Sequence, residues 1–211
     1  IEMKSNLTFI KKPELFAALK PLEGQFFAVI DEKLKVHLPE WILNSDKVFW
    51  LDHPEAQKNL KTYGEISEFF LEKGIYRNAT LIAIGGGATT DLAGFVASTI
   101  LRGIDWIAVP TTLLAQVDGS IGGKVAINTR FGKNLLGAFH APKSVYLCHD
   151  FLTTLPEAEM ISGKGEILKY GFLSILISDL ILNHAELEVI IFECAKYKSE
   201  VVEKDFKETG D

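Results

Sequence analysis

Short apolar runs recur along the first 150 residues, and polar residues or glycine follow most of them. The runs are FFAVI at 26–30, VFWL at 48–51, LIAI at 81–84, WIAV at 106–109 and VYLC at 145–148. Their length and their branched or aromatic side chains predict buried strands. Between the third and fourth runs, small and apolar residues recur at helical spacing, so this part predicts a parallel βαβ unit.

Beyond Pro156 the pattern becomes helical. The change of pattern predicts an α/β fold in two parts: a Rossmann-like N-terminal domain with a parallel sheet over residues 1–155, and an α-helical C-terminal domain that begins at residue 156 and continues to residue 211.

Three consecutive glycines stand between the strand at 81–84 and the helix expected over 88–100. Glycine lets the backbone approach a ligand closely, and a helix N-terminus offers unpaired N–H groups with partial positive charge. This corner therefore suits a phosphate or pyrophosphate, with Thr90 predicted as the helix cap. It is not a GxGxxG motif, so a tight turn without a ligand is the alternative for the loop alone.

Ligands of parallel sheets bind beyond the carboxyl ends of the strands. The glycine corner, residues 85–91, is therefore expected beside Thr111 and Thr112, which follow the next strand. Asp31 closes the first predicted strand and is a candidate for holding ribose hydroxyls, with a surface aspartate as the alternative. Glu55 and Lys58 either pair with each other on a helix face or reach a cofactor together.

The segment 113–143 carries the richest chemistry, because Lys124 and Lys133 each lie beside glycine and Asp118 and Asn134 are interleaved with them. Glycine lets the backbone close around an anion while the ammonium supplies charge. Either lysine alone is typical of a solvated charge, but the two together favour a phosphate or carboxylate site.

In the helical part, Glu166 and Lys169 are three residues apart and share one helix face, where a surface ion pair is one interpretation. Gly163 and Gly165 weaken that helix, which indicates that something packs or binds close to its backbone. Lys198, considered alone, is typical of a solvated charge.

Composition and charge argue against two classes of function, nucleic-acid binding and membrane insertion. The 211 residues carry a net charge of −6, which argues against nucleic-acid binding, and no apolar run is long enough to span a membrane. Cys148 and Cys194 are far apart and are expected to be buried thiols in a reducing cytoplasm. The five histidines show no metal-ligand spacing.

Several long motifs occur in the order known from one family: GGGATTDLAGFVAST, LRGI, VPTTLLAQVDGSIGGKVAIN, GKNLLGAFHAP, FLTTLP, GKGEILKYG and KSEVV. With these motifs the chain resembles the 3-dehydroquinate synthases of the shikimate pathway of aromatic amino acid biosynthesis. This family belongs to a wider group that includes sugar-phosphate cyclases and glycerol dehydrogenases. The resemblance extends from about Asp31 to Asp211.

The resemblance implies a cytoplasmic carbon–oxygen lyase that depends on NAD and on zinc or cobalt. Such an enzyme converts 3-deoxy-D-arabino-heptulosonate 7-phosphate to 3-dehydroquinate and phosphate. It does so by transient oxidation, phosphate elimination, re-reduction and intramolecular aldol closure. The implied partners are a phosphorylated sugar acid and a second subunit of a homodimer, with no nucleic acid and no membrane.

The resemblance also assigns residues. The implied cofactor-binding residues are Asp31, His53, Pro54, Glu55, Lys58, Gly86, Gly87, Ala88, Thr89, Thr90, Asp91, Thr111, Thr112, Lys124, Lys133, Phe151, Thr154, Leu155 and Glu159. The implied catalytic and substrate-binding residues are Asp118, Lys124, Lys133, Asn134, Lys169, Lys198 and Arg102, the last reaching a neighbouring subunit's site. Glu166 matches the family's carboxylate metal ligand.

The family completes its metal site with two histidines in a pattern like LNxGHxxGHxxE, and this pattern is absent from the 211 residues. The sequence therefore carries one of three expected ligands and is expected to hold an incomplete helical domain. Two alternatives stay open: a related cyclase such as 2-deoxy-scyllo-inosose synthase, and a shortened NAD-binding module without catalysis.

Overall fold

Six parallel strands form the central sheet of the protein, in the order β1-β8-β5-β4-β2-β3. The computed structural model describes residues 5–22 and 25–205. The ends of the two predicted domains, residues 1–4 and 206–211, lie outside the described residues.

The strands are β1 Asn6–Phe9, β2 Phe26–Asp31, β3 Val48–Leu51, β4 Thr80–Gly85, β5 Asp105–Pro110, β6 Lys124–Thr129, β7 Gly132–Phe139 and β8 Ser144–Leu147. The helices are α1 Lys12–Leu19, α2 Glu40–Leu43, α3 Pro54–Gln57, α4 Leu60–Glu72, α5 Gly87–Thr99, α6 Glu157–Leu173, α7 Ile175–Leu182 and α8 Leu187–Lys204. All five predicted strands are confirmed, and β1, which pairs with β8, was not predicted.

The sheet is covered on both faces, which explains why its strands are continuous apolar runs rather than alternating ones. In β2, Phe27 and Val29 belong to the apolar cluster that includes α4 and α5. Phe26, Ala28 and Ile30 point to the opposite face and pack in the cluster that includes α1 and α2. The βαβ unit formed by β4, α5 and β5 lies at the centre of this arrangement.

A two-stranded antiparallel hairpin, β6–β7, lies outside the main sheet and packs on α5. Gly94 of α5 allows the hairpin to approach the helix closely. A Cβ at Gly94 would lie 2.3 Å from Cγ1 of Val125, so the missing side chain lets β6 sit directly against the helix. The sequence did not predict these two strands.

Helices α6, α7 and α8 form a third apolar cluster together with Leu113 and Val117, which follow β5. No helix among residues 5–22 and 25–205 has the length and apolar character needed to cross a membrane.

The two glycines of α6 differ in environment, and this difference predicts opposite effects of the same substitution. A Cβ at Gly163 would lie 2.5 Å from the Leu113 side chain, whereas a Cβ at Gly165 would meet nothing within 4 Å. We expect Gly163→Ala to lower the free energy of unfolding by about 1–3 kcal/mol through overpacking. Gly165→Ala should raise it by up to about 1 kcal/mol through helix propensity. Urea denaturation of both variants checks this, and equal effects would contradict the packing described for α6.

Candidate functional site

The glycine corner joins β4 to α5 at the carboxyl edge of the sheet. Gly86 is the N-cap of α5, and no side chain caps the helix there. The prediction that Thr90 caps the helix is wrong, because Thr90 lies inside the helix and its hydroxyl donates back to the carbonyl of Gly87 at 3.0 Å. The amide of Thr111 donates to the carbonyl of Gly85 at 2.9 Å, so the two segments are adjacent as the sequence predicted.

Space is open in front of this helix terminus. A Cβ at Gly87 would meet nothing within 4 Å, whereas one at Gly86 would lie 2.9 Å from Cγ2 of Thr112. The first-turn N–H groups of a helix have no acceptors within the helix. The hydroxyl of Thr89 is also buried without a hydrogen-bond partner in the described part of the chain. The corner can therefore accept an anion from the open side.

A cleft of about 780 Å³ runs along this edge. The predicted site residues that line it are Asp31, His53, Pro54, Glu55, Lys58, Gly86, Gly87, Ala88, Asp91, Thr112, Asp118, Lys133, Asn134 and Glu159. A neighbouring cavity of about 600 Å³ shares Gly87, Asp91, Asp118 and Asn134 with the cleft and adds Lys124 and Lys198. The structure thus gathers residues that are up to 167 positions apart, from Asp31 to Lys198, around one connected space.

Lys58 is the most buried cation of this space, with 5% of its surface exposed. Its ammonium forms an ion pair with Asp91 and donates to Oδ1 of Asn134 at 2.6 Å. Glu55 does not pair with Lys58 and instead forms an ion pair of 2.8 Å with Lys133 on β7. Both contacts connect the β6–β7 hairpin to the wall of the cleft.

Burial has the largest effect on the pKa of Asp91. It raises the pKa of this carboxyl above its ordinary value, although the positive charge and hydrogen bond of Lys58 act in the opposite direction. Asp31 behaves similarly, since burial raises its pKa while the backbone N–H of Lys33 opposes the shift.

Asp118 lies on a single π turn, Ala115–Gly119, and receives two hydrogen bonds from the helical part. The ammonium of Lys198 on α8 lies 2.7 Å from Oδ1 of Asp118, and the hydroxyl of Tyr170 on α6 donates to the same oxygen at 2.9 Å. Burial opposes ionisation of Asp118, but the contacts with Lys198 and Tyr170 outweigh it, and the pKa of Asp118 lies below its ordinary value.

The interpretation of Lys198 as a solvated charge is wrong. Its side chain is only 16% exposed, because α8 folds back over the π turn and brings the ammonium to Asp118. Tyr170 was missed by the sequence reasoning. Its position directly after Lys169, one turn beyond Glu166, was the signal that could have suggested it.

Several predicted residues do not line the cleft. Thr90, Thr111 and Phe151 are buried. The hydroxyl of Thr154 lies 3.1 Å from Nε2 of His37 and is therefore already partnered. Leu155 is partly buried against the cluster of α6, α7 and α8.

The comparisons with known proteins decide the family. The family model described as 3-dehydroquinate synthase N-terminal matches residues 48–162, which is more than half of the chain. The chain belongs to the 3-dehydroquinate synthase family. It is 46% identical over 166 residues to a 3-dehydroquinate synthase of Alkaliphilus metalliredigens, covering 74% of this chain and 47% of that protein. It is 39% identical over 202 residues to one of Pelagibacter ubique, covering 89% of this chain and 55% of that protein.

The chain thus spans about half the length of the curated relatives it matches. Among solved structures it is similar to a 2-deoxy-scyllo-inosose synthase, with a TM-score of 0.79 and 25% identity over 98% of this chain and 63% of that one. It also shares the fold of the 2-epi-5-epi-valiolone synthase ValA of Streptomyces hygroscopicus, solved with NAD⁺ and Zn²⁺ bound. That comparison has a TM-score of 0.80 and 24% identity over 99% of this chain and 64% of that chain.

Glu166 and Arg102, which the 3-dehydroquinate synthase resemblance also singles out, do not line the cleft. Glu166 forms an ion pair of 2.5 Å with Lys169, which confirms that the two share a helix face. No group of three His, Cys, Asp or Glu side chains that could hold a metal ion exists within the described ranges. Arg102 is exposed and lies beyond the C-terminus of α5, a helix about 20 Å long whose N-terminus forms the cleft.

Proposed function

We propose that this chain is the NAD-binding and phosphate-binding part of a 3-dehydroquinate synthase. The reaction converts 3-deoxy-D-arabino-heptulosonate 7-phosphate to 3-dehydroquinate with release of phosphate. The observation that carries this proposal is the uncapped, glycine-lined N-terminus of α5, which opens into the same cleft as Lys58, Lys133 and Asp118. In this proposal residues 1–155 form the cofactor domain, residues 156–211 belong to the helical domain, and the enzyme works in the cytoplasm.

The corner fits the pyrophosphate of NAD. The free backbone N–H groups of Gly87 and Ala88 and the dipole of α5 would bind the negative oxygens, and the empty volume at Gly87 admits them. Asp31 and Glu55 line the same cleft and would accept hydrogen bonds from ribose hydroxyls. Bound NAD supplies a reversible hydride acceptor for a substrate hydroxyl.

The cations of the connected cavity would hold the two anionic ends of the substrate. Lys124 and Lys198 line the neighbouring cavity, and Lys133 and Asn134 reach the cleft from the hairpin. Because these ammonium groups approach from α8, β6 and β7, they can bind a phosphate and a carboxylate at separate places. Asp118 would orient Lys198 through their ion pair.

A metal ion does not fit the described residues alone, because Glu166 is a single carboxylate and already pairs with Lys169. Glu166 is proposed as one ligand of a zinc or cobalt ion whose other ligands do not occur among residues 5–22 and 25–205.

A homodimer is part of the proposal. Arg102 lies at the opposite end of α5 from the cleft of its own subunit, so a role in substrate binding requires that it reach a second subunit's cleft. Sedimentation should then give a dimer. In a mixed dimer, Arg102→Ala in one subunit should weaken substrate binding at the cleft of the other subunit.

Phosphate release is the test of the reaction. The complete gene product, loaded with metal and NAD, is expected to release phosphate from 3-deoxy-D-arabino-heptulosonate 7-phosphate and to stop when a chelator is added. No release would contradict the proposal. Turnover of glucose 6-phosphate instead would favour an inosose-type cyclase, because a solved 2-deoxy-scyllo-inosose synthase holds the analogue carbaglucose-6-phosphate. NAD binding without tight metal binding or turnover would favour a non-catalytic module.

Lys124→Ala should lower phosphate release by about 100-fold or more while NAD affinity is largely kept, because the lost ammonium faces the substrate cavity. Lys143→Ala is the matched control, since Lys143 is an exposed lysine paired with Asp105 at the opposite edge of the sheet. Unchanged activity of the Lys124 variant would remove this lysine from the substrate site.

A further inference from the structure

Gln116 is a fully buried amide whose two bonds join different strands. It is 0% exposed, and its Nε2 donates to the carbonyl of Pro110 at 3.1 Å and to the carbonyl of Cys148 at 2.9 Å. Pro110 ends β5, and Cys148 directly follows β8. Both partners are acceptors, which fixes the orientation of the amide, since only its NH₂ group can donate.

Burying the amide of Gln116 costs free energy, so the presence of an amide at this position needs an explanation. Oε1 of Gln116 is buried and has no hydrogen-bond partner within the described residues. A methionine would fill nearly the same volume without leaving a buried acceptor unpaired. Filling space therefore does not explain an amide at position 116, whereas holding two strand ends does.

The backbone that carries Gln116 has an unusual geometry, a single π turn. The amide of Ser120 donates to the carbonyl of Ala115 at 3.1 Å, five residues back, and this bond closes the π turn. One extra residue in a turn rotates the residues that follow by about 100° relative to an α-helix. Asp118 lies inside this turn, so the turn decides which way its carboxylate faces.

Asp118 meets the helical part from the opposite side. Its carboxylate is held by Lys198 on α8 and Tyr170 on α6, while Gln116, two residues earlier, is held by β5 and β8. The short segment 115–119 is thus fixed to the sheet by one side chain and to the helices by another.

We infer that Gln116 is a positioning residue: its two amide hydrogen bonds fix the π turn on the ends of β5 and β8 and thereby hold Asp118 within reach of Lys198 and Tyr170. Its consequence for substrate binding rests on the proposed function, in which Asp118 orients Lys198. The orientation of Asp118 itself can be measured without substrate.

The test replaces Gln116 by methionine and follows the Asp118 carboxyl by ¹³C NMR, with Asp118→Asn used to assign the resonance. The charged and titratable groups that act on Asp118 are Lys198, Tyr170 and Lys169. In Gln116→Met, we expect the pKa of Asp118 to rise, because a displaced carboxylate loses the hydrogen bonds that keep it ionised. Gln116→Asn, which is uncharged and too short to reach both carbonyls, should shift it in the same direction and serves if the methionine variant does not fold.

Ile42→Val is the control for general loss of stability. Ile42 is buried in the apolar cluster that includes α1 and α2, whereas Val117 of the π turn belongs to a different cluster, so this variant should leave the pKa of Asp118 unchanged. A folded Gln116 variant whose Asp118 titrates as in the parent protein would overturn the inference.

A second measurement separates the inference from the proposed function. In the complete gene product, Gln116→Met should weaken substrate binding by about 10-fold while NAD affinity is kept. If Asp118 shifts but substrate affinity does not change, the positioning role stands and the assignment of Asp118 to the substrate site is contradicted.

Discussion

Gly87→Asp is expected to weaken NAD binding by about 100-fold or more while leaving the protein folded. A Cβ at this position would meet nothing within 4 Å, so the backbone leaves room for a side chain to begin here. A carboxylate in the first turn of α5 interacts favourably with the helix dipole and should stabilise the fold by about 0.3–1 kcal/mol. The same carboxylate would stand where the pyrophosphate is proposed to bind, and repulsion between the two negative groups should weaken NAD binding by about 100-fold or more.

Isothermal titration with NAD, combined with thermal unfolding, measures both effects in one variant. Gly64→Asp is the matched control, because Gly64 also has open space at its Cβ position but lies in α4, away from the cleft. It carries the same charge change and should bind NAD as the parent protein does. Equal NAD affinity in the Gly87 and Gly64 variants would place the cofactor elsewhere.

The central strands and the glycine corner could be predicted from the sequence because their signals are local. Apolar runs such as LIAI mark strands buried on both faces, and adjacent glycines mark the turn into the helix. The same reasoning placed Thr111 beside the corner, since parallel strands align their carboxyl ends, and the hydrogen bond from Thr111 to Gly85 confirms it.

Elements that depend on distant partners were missed. Strand β1 has four residues and pairs with β8, 138 positions away in the sequence, so no local pattern identifies it. The hairpin strand β7 is exposed along almost its whole length and therefore lacks the alternation that marks a half-buried strand.

The sequence also did not predict which charged residues of the site pair with each other. Spacing left open whether Glu55 and Lys58 pair with each other or reach a cofactor together. In the structure the hairpin brings Lys133 to Glu55 and Asn134 to Lys58. Lys198 gave no sign of its partner, because Asp118 lies 80 positions earlier and the fold of α8 brings the two together. Residue types and strand ends could thus be read from sequence, whereas the partner of each charge required the tertiary structure.

Lys58→Met is expected to lower the free energy of unfolding by about 3 kcal/mol at pH 7. The ammonium of Lys58 is the ion-pair partner of Asp91, whose side chain is only 20% exposed, and removing one member of a buried pair leaves the other charge uncompensated. For a protein of this size the loss corresponds to a fall in melting temperature of about 6–12 °C.

The loss should depend on pH in a defined direction. Burial already raises the pKa of Asp91 above its ordinary value of 3.8, and removing Lys58 raises it further. A carboxyl with a raised pKa in the folded state favours folding below pH 3.8 and loses this contribution as pH rises through its folded-state pKa. The difference between Lys58→Met and the parent protein should therefore be small in acid and grow toward neutral pH.

Urea denaturation from pH 4 to pH 8 measures this difference, and Lys143→Met provides the comparison. Lys143 forms an ion pair with Asp105 in which both side chains are more than 60% exposed, so its removal should change the free energy of unfolding by less than about 1 kcal/mol, with little dependence on pH. If the Lys58 variant behaves like the Lys143 variant, Asp91 does not depend on Lys58 for its charge. In that case the ion pair could not be what fixes the hairpin residue Asn134 against the glycine corner, because Lys58 joins Asp91 and Asn134 through one ammonium group.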